Sequence, residues 1–137
     1  MKTVIKFSIF LVGLTFMSFS YFSSQDQDPW EIPEKYKKME NPTDASDRGL
    51  LMDAKVIYAK ECKSCHGKSG MGDGSKADDL EGYLGDFSDP EFFEEQTDGE
   101  LFYKIKFGRG DMPTFGKKLS YDEDIWIVIN YIKTLSE

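Results

Sequence analysis

The chain's only two cysteines and its only histidine stand together in one pentapeptide, Cys62-Lys63-Ser64-Cys65-His66. This is the c-type heme attachment pattern. Two thiols add across the two vinyl groups of a heme and become thioethers. Two intervening residues let them reach neighbouring edges of one macrocycle, and the adjacent imidazole then meets the iron from the same side. The expectation is one heme c, bound covalently through Cys62 and Cys65, with His66 as a metal ligand. Three other chemistries use parts of the same pattern. A zinc site wants four ligands, and no second Cys/His pair exists. A thioredoxin-type dithiol would leave His66 incidental and needs strands around the motif. A structural Cys62–Cys65 disulfide would suit an oxidising compartment. The single motif, its helical setting and an export signal together favour heme.

A lone histidine excludes bis-histidine ligation within the chain. The other side of the iron is then open to a methionine, a lysine, water or nothing. Beyond the N-terminal segment the methionines are Met39, Met52, Met71 and Met112. Met39 lies in a polar arm, and Met52 lies in a predicted helix as filler. Met71 is five residues past His66, and its short loop would have to pass around the heme edge. Met112 follows Gly108-Arg109-Gly110-Asp111 and precedes Pro113. The glycines permit a close backbone approach, and proline fixes the direction of the next bond. Met112 comes 46 residues after His66, enough chain to reach the opposite face. A thioether on iron stabilises the ferrous state and raises the potential. The plain alternative is that Met112 merely fills core space.

These residues need elements to hold them. Leu50, Ala54, Ile57, Tyr58 and Cys62 recur at helical steps, predicting a helix over Asp47–Glu61 with Ser46 or Asp47 as its cap. A second long helix is predicted over Tyr121–Leu135, where Ser120 and Glu123 fit a capping box and Ile125, Val128, Ile129, Ile132 and Leu135 form the stripe. Shorter helices are expected over Pro90–Gln96 and over Gly99–Phe107, the latter capped by Asp98. The Gly- and Asp-rich stretch Gly67–Asp86 reads as an irregular loop. No run alternates as a strand. The fold class is therefore all-α: a domain of about four helices over residues 47–137, packed around the covalent heme. Four such helices bury little apolar surface, and the cofactor supplies what the core lacks.

The rest of the chain is organised around that domain. Lys2 and Lys6 precede an uncharged run from Phe7 to Phe22, so residues 1–24 read as a signal peptide or an uncleaved N-terminal anchor. Residues 25–46 carry Pro29, Pro33 and Pro42 and read as a polar arm or linker, with Trp30 and Ile32 as anchor points on the domain. At 137 residues there is room for one ordinary domain. The 31% charged composition and mean hydropathy of −0.49 fit a soluble globular chain. A net charge of −8 opposes binding to nucleic-acid backbones.

Taken together the motifs resemble the class I monoheme cytochrome c family, over about Leu50–Leu135. Cys62, Cys65 and His66 match its attachment motif, and the continuation Gly67-x-x-Gly70-x-Gly72-Asp73-Gly74 is similar to many bacterial members. Met112-Pro113 matches the distal motif that follows a Gly-Arg pair. Ala54 and Tyr58 stand where the family has a small residue and an aromatic in its first helix, and Tyr131 stands at the aromatic of the last. The resemblance implies that the two helices cross closely and that Arg109 sits near a heme propionate. It also makes Leu80, Phe87, Phe102, Ile105 and Phe115 walls of the heme crevice, where they are core as well. The function implied is an exported, periplasmic or extracytoplasmic electron carrier without substrate turnover. Its partners are redox proteins, not nucleic acid, and it touches a membrane only through residues 7–22 if these are retained. The alternatives are a heme-bearing subunit of a larger membrane-associated oxidoreductase complex and, further off, a ligand-sensing heme protein.

Overall fold

The computed structural model describes residues 30–136. The signal or anchor expected over residues 1–24 lies outside the described residues. Six helices follow in order: α1 (Glu34–Lys37), α2 (Arg48–Glu61), α3 (Lys63–His66), α4 (Glu91–Glu94), α5 (Asp98–Phe107) and α6 (Asp122–Lys133). Single 3-10 turns stand at Ala77–Asp79 and Thr134–Ser136. Among the described residues there is no strand, only an isolated bridge between Arg109 and Met112.

α6 is the centre of the fold. Its residues from Ile125 to Asn130 are all buried, and Ile132 with them. A helix apolar on most of its faces must be covered on more than one side. Val128, Ile127 and Ile132 pack with Ala54 and Tyr58 of α2 and with Phe87. Ile125, Trp126 and Ile129 pack with Leu101 and Phe102 of α5. The Trp126 and Phe102 rings stack at 4.2 Å between centroids. Ala54 is fully buried at the α2/α6 contact, which bears out the close crossing that its small side chain implied.

The helix ends follow local chemistry. Asp47 caps α2, its carboxylate accepting from the Gly49 and Leu50 amides at 2.8 and 3.1 Å. At α5 the cap is Thr97 and not Asp98. Thr97 Oγ1 accepts from the Glu100 amide, and the Glu100 carboxylate accepts from the Thr97 amide, a complete capping box. At α6 the cap falls one residue later than expected, because Asp124, and not Glu123, accepts from the backbone of Tyr121.

Two elements exceed the four helices expected. α3 is the single turn that contains the attachment motif. α1 lies in the arm, where the prolines were read as breaking any helix; Pro33 instead stands just before α1, where a fixed φ and a missing N–H cost nothing. The arm is also more than a surface strand. Tyr36 stacks near Phe102 and tilts onto Tyr103 at 4.9 Å. Asn41 Nδ2 donates to the Trp126 carbonyl and to Asn130 Oδ1, while Asn130 Nδ2 donates to Thr43 Oγ1. Trp30, expected as an anchor, meets Tyr103 edge-on.

Candidate functional site

α2 delivers the first cysteine. Cys62 ends that helix, its amide donating to the Tyr58 carbonyl at 2.9 Å. The Cys62 carbonyl then accepts from the Cys65 and His66 amides at 3.1 and 3.0 Å. One helical turn thus carries both thiols and the imidazole. Both cysteines are free and half-buried. Burial, reinforced by the negative charge of Glu61 and the neighbouring Cys65, pushes the Cys62 thiol up to about 12. A dithiol enzyme needs the opposite shift to expose a thiolate. The upward shift runs against the dithiol reading.

His66 is held by packing. Its ring stacks on Phe87, with centroids 4.7 Å apart and planes 24° apart. Burial lowers its pKa, opposed by the Leu84 backbone, and so favours the neutral imidazole that a metal ligand presents. Its Nδ1 is buried with no hydrogen-bond partner in the protein. A buried polar atom left without a partner is rare. Such an atom fits a ring whose surroundings a bound group would complete. Among the described residues no three His, Cys, Asp or Glu side chains converge on a metal position. The residues present fit a covalently attached heme.

The loop after His66 wraps back onto the turn. The amides of Gly72, Gly74 and Lys76 donate to the carbonyls of His66, Cys65 and Ser64. The Tyr58 hydroxyl donates to the Gly67 carbonyl at 2.8 Å, tying the loop to α2. Gly70 has φ +80°, and a Cβ there would lie 2.6 Å from Phe87 Cβ. That close approach seats Phe87 against His66. Leu84, whose backbone also touches His66, went unnoticed in the sequence, because a loop residue acting through its backbone leaves no side-chain signal.

Met112 sits in a tight hairpin after α5. Arg109 and Met112 exchange both backbone hydrogen bonds at 3.0 Å. Gly108, at φ +63°, lies so close under the Met112-Pro113 peptide that a Cβ would collide with both carbonyl groups. Thr114 Oγ1 and the Gly116 amide fasten the following residues to the Lys106 carbonyl. Met112 is half-buried, whereas Met71 and Met52 are 56% and 70% exposed. Met39 packs against the Leu101–Phe102 cluster. Of the expected crevice walls, Phe87 touches His66, and Ile105 lies against both core clusters. Phe115 is buried, with its amide on the Ile105 carbonyl. Phe102 is α5/α6 core, and Leu80 is half-buried. Arg109 places its guanidinium 4.3 Å above the Trp30 ring, a contact the sequence did not foretell.

Fold and attachment turn define a c-type cytochrome of the monoheme class I kind. Residues 49–132 match the sequence model of the family described as cytochrome C oxidase, cbb3-type, subunit III, and the chain belongs to that family. It binds one heme c covalently through Cys62 and Cys65, and it is a heme-bearing electron-transfer protein. Among solved structures it is similar to a chain of the Kuenenia stuttgartiensis reducing HAO-like protein complex Kustc0457/Kustc0458. That likeness has 27% identity and a TM-score of 0.57, and covers 75% of this chain and 53% of the other. The present chain therefore spans about half the length of that relative. It is also similar in fold to the c-type cytochrome KustC0563, with 23% identity and a TM-score of 0.54, covering 62% of this chain and 99% of that one. No curated protein matches.

Proposed function

We propose that this chain is an exported monoheme carrier that passes single electrons between redox proteins and turns over no substrate. His66 and Met112 are its iron ligands. The observation that carries this reading is the Met112 hairpin. A flexible thioether is held half-buried in a doubly hydrogen-bonded turn, while Met52 and Met71 point to solvent. The heme, when bound, supplies a one-electron ferric/ferrous couple. The chain supplies the rest. His66 presents a neutral imidazole, Met112 a soft sulfur that favours the reduced state, and Phe87 an apolar wall that keeps water from the ring. Two protein ligands leave no position for oxygen or substrate. Export follows from the charged-then-apolar start of the sequence, as a cleaved signal or as an anchor through residues 7–22. Among the described residues no helix is long and apolar enough to cross a membrane.

Optical spectra of the holoprotein test this. The ferric form should show the weak long-wavelength methionine–iron band and a low-spin Soret pattern. Met112→Ala should abolish the band, lower the midpoint potential and let imidazole bind. Persistent high-spin ferric heme in the unaltered protein would favour the ligand-sensing reading instead.

A second reading has its own support. The 27%-identical neighbour belongs to a protein complex, and the family is described as an oxidase subunit. The chain would then be a heme-bearing subunit of a larger oxidoreductase. Purification at native abundance separates the two: a free carrier runs at its monomer size, and a subunit brings a catalytic partner with it.

A further inference from the structure

We infer that Trp30, in the N-terminal arm, is a positioning residue for the distal ligand, acting on Met112 through Arg109. The inference rests on the reading of Met112 as an iron ligand and deepens it. Trp30 is half-buried, edge-on to Tyr103 of α5 at 6.5 Å. The opposite end of its contact is the Arg109 guanidinium, 4.3 Å above the indole centroid. The Lys104 ammonium lies 5.8 Å from the same ring. Indole is the best aromatic partner for a cation, and partial burial strengthens the attraction. Arg109 is in turn the residue whose N–H and C=O both pair with Met112. The indole therefore grips the side chain of the residue that forms the other strand of the ligand hairpin.

The hairpin has two further supports. Asp111 Oδ2 accepts from the Glu81 amide at 3.0 Å, and Gly108 lies beneath the Met112-Pro113 peptide. Both lie on the domain itself. Trp30 is different: it comes from a segment held to the domain by the Tyr36 ring contacts and the Asn41–Asn130 hydrogen bonds. The arm thereby acts as a strap across the C-terminal end of α5, and its grip limits how readily Met112 leaves the iron.

Imidazole titration of the ferric holoprotein reads this directly, because imidazole binds only when Met112 lets go. Trp30→Ala should tighten apparent imidazole binding about threefold to tenfold, the size of one lost cation–π contact. Trp30→Phe, which keeps a ring face, should return most of the difference. Arg109→Gln should shift imidazole binding in the same direction as Trp30→Ala, and the double variant should fall short of the sum of the two single effects. Imidazole binding unchanged in both Trp30→Ala and Arg109→Gln, with Met112→Ala opening the iron, overturns the strap and leaves the ligand assignment standing. Lower thermal stability without a change in imidazole binding overturns it equally. If Met112→Ala itself leaves imidazole binding unchanged, the ligand reading fails, and the strap fails with it.

Discussion

His66 shows how packing sets one side chain of the proposed iron site. A histidine this buried would ordinarily satisfy both ring nitrogens within the protein, yet Nδ1 has no partner and the ring is fixed by Phe87. Burial raises the pKa of the Cys62 thiol beside it and keeps that thiol protonated. Replacing both cysteines, Cys62→Ser with Cys65→Ser, should abolish covalent heme and leave a chain with little cooperative unfolding. The check is a denatured-gel heme stain with far-ultraviolet circular dichroism. A well-folded colourless protein would show that the core does not depend on the cofactor. Tyr58 is the other residue whose role can be isolated. Burial, first, and neighbouring negative groups raise its pKa above the ordinary tyrosine value of 10.0. The folded chain holds this proton more tightly than the unfolded chain does. The stability it contributes is whole below that value and declines as the pH climbs through it. Tyr58→Phe should flatten the alkaline fall of the stability curve. It should also cost about 1 kcal/mol at neutral pH through the lost bond to Gly67, measured by denaturant titration.

Helices and arm are coupled through α6. Its Asn130 is the one buried polar side chain of the described core, and its amide links Asn41 and Thr43 to the helix. Removing one partner leaves the others unsatisfied in a partly buried place, a loss of roughly 1 kcal/mol. Asn130→Ala should therefore lower the unfolding midpoint and also make the segment 38–46 the first site of limited proteolysis, read by mass spectrometry. Unchanged protection of that segment would mean that the aromatic contacts of Tyr36 alone hold it. The long helices were legible because their apolar residues recur at helical steps. The arm was not, because its structure comes from scattered contacts: one tyrosine, one asparagine pair and one indole. None of these has a period.

Across the molecule, acidic charge outweighs basic charge by eight. The lysines near the site do not reverse this. Lys106 pairs with Asp122, and Lys118 lies 3.8 Å from Glu61. Lys63, Lys68 and Lys76 are exposed and only partly offset the surrounding acids. A cationic small-molecule oxidant should thus react faster with the ferrous protein than an anionic one of equal driving force. The advantage should shrink as added salt shortens the screening length towards about 10 Å at 0.1 M. Stopped-flow oxidation over a salt series measures this. An anionic reagent winning at low salt would locate a positive patch at the exposed heme edge.

The attachment turn, the cofactor and the two principal helices could be read from residue order, because covalent spacing and helical period are local properties. Met112 stood out for the same reason, flanked by glycines and proline that shape its own few residues. The lodging of Phe87 against His66 through Gly70, the Leu84 backbone at the imidazole and the Trp30 grip on Arg109 were settled only when distant segments met. Such contacts depend on which surfaces the packed helices bring within a few ångströms, and no neighbour in the chain records them.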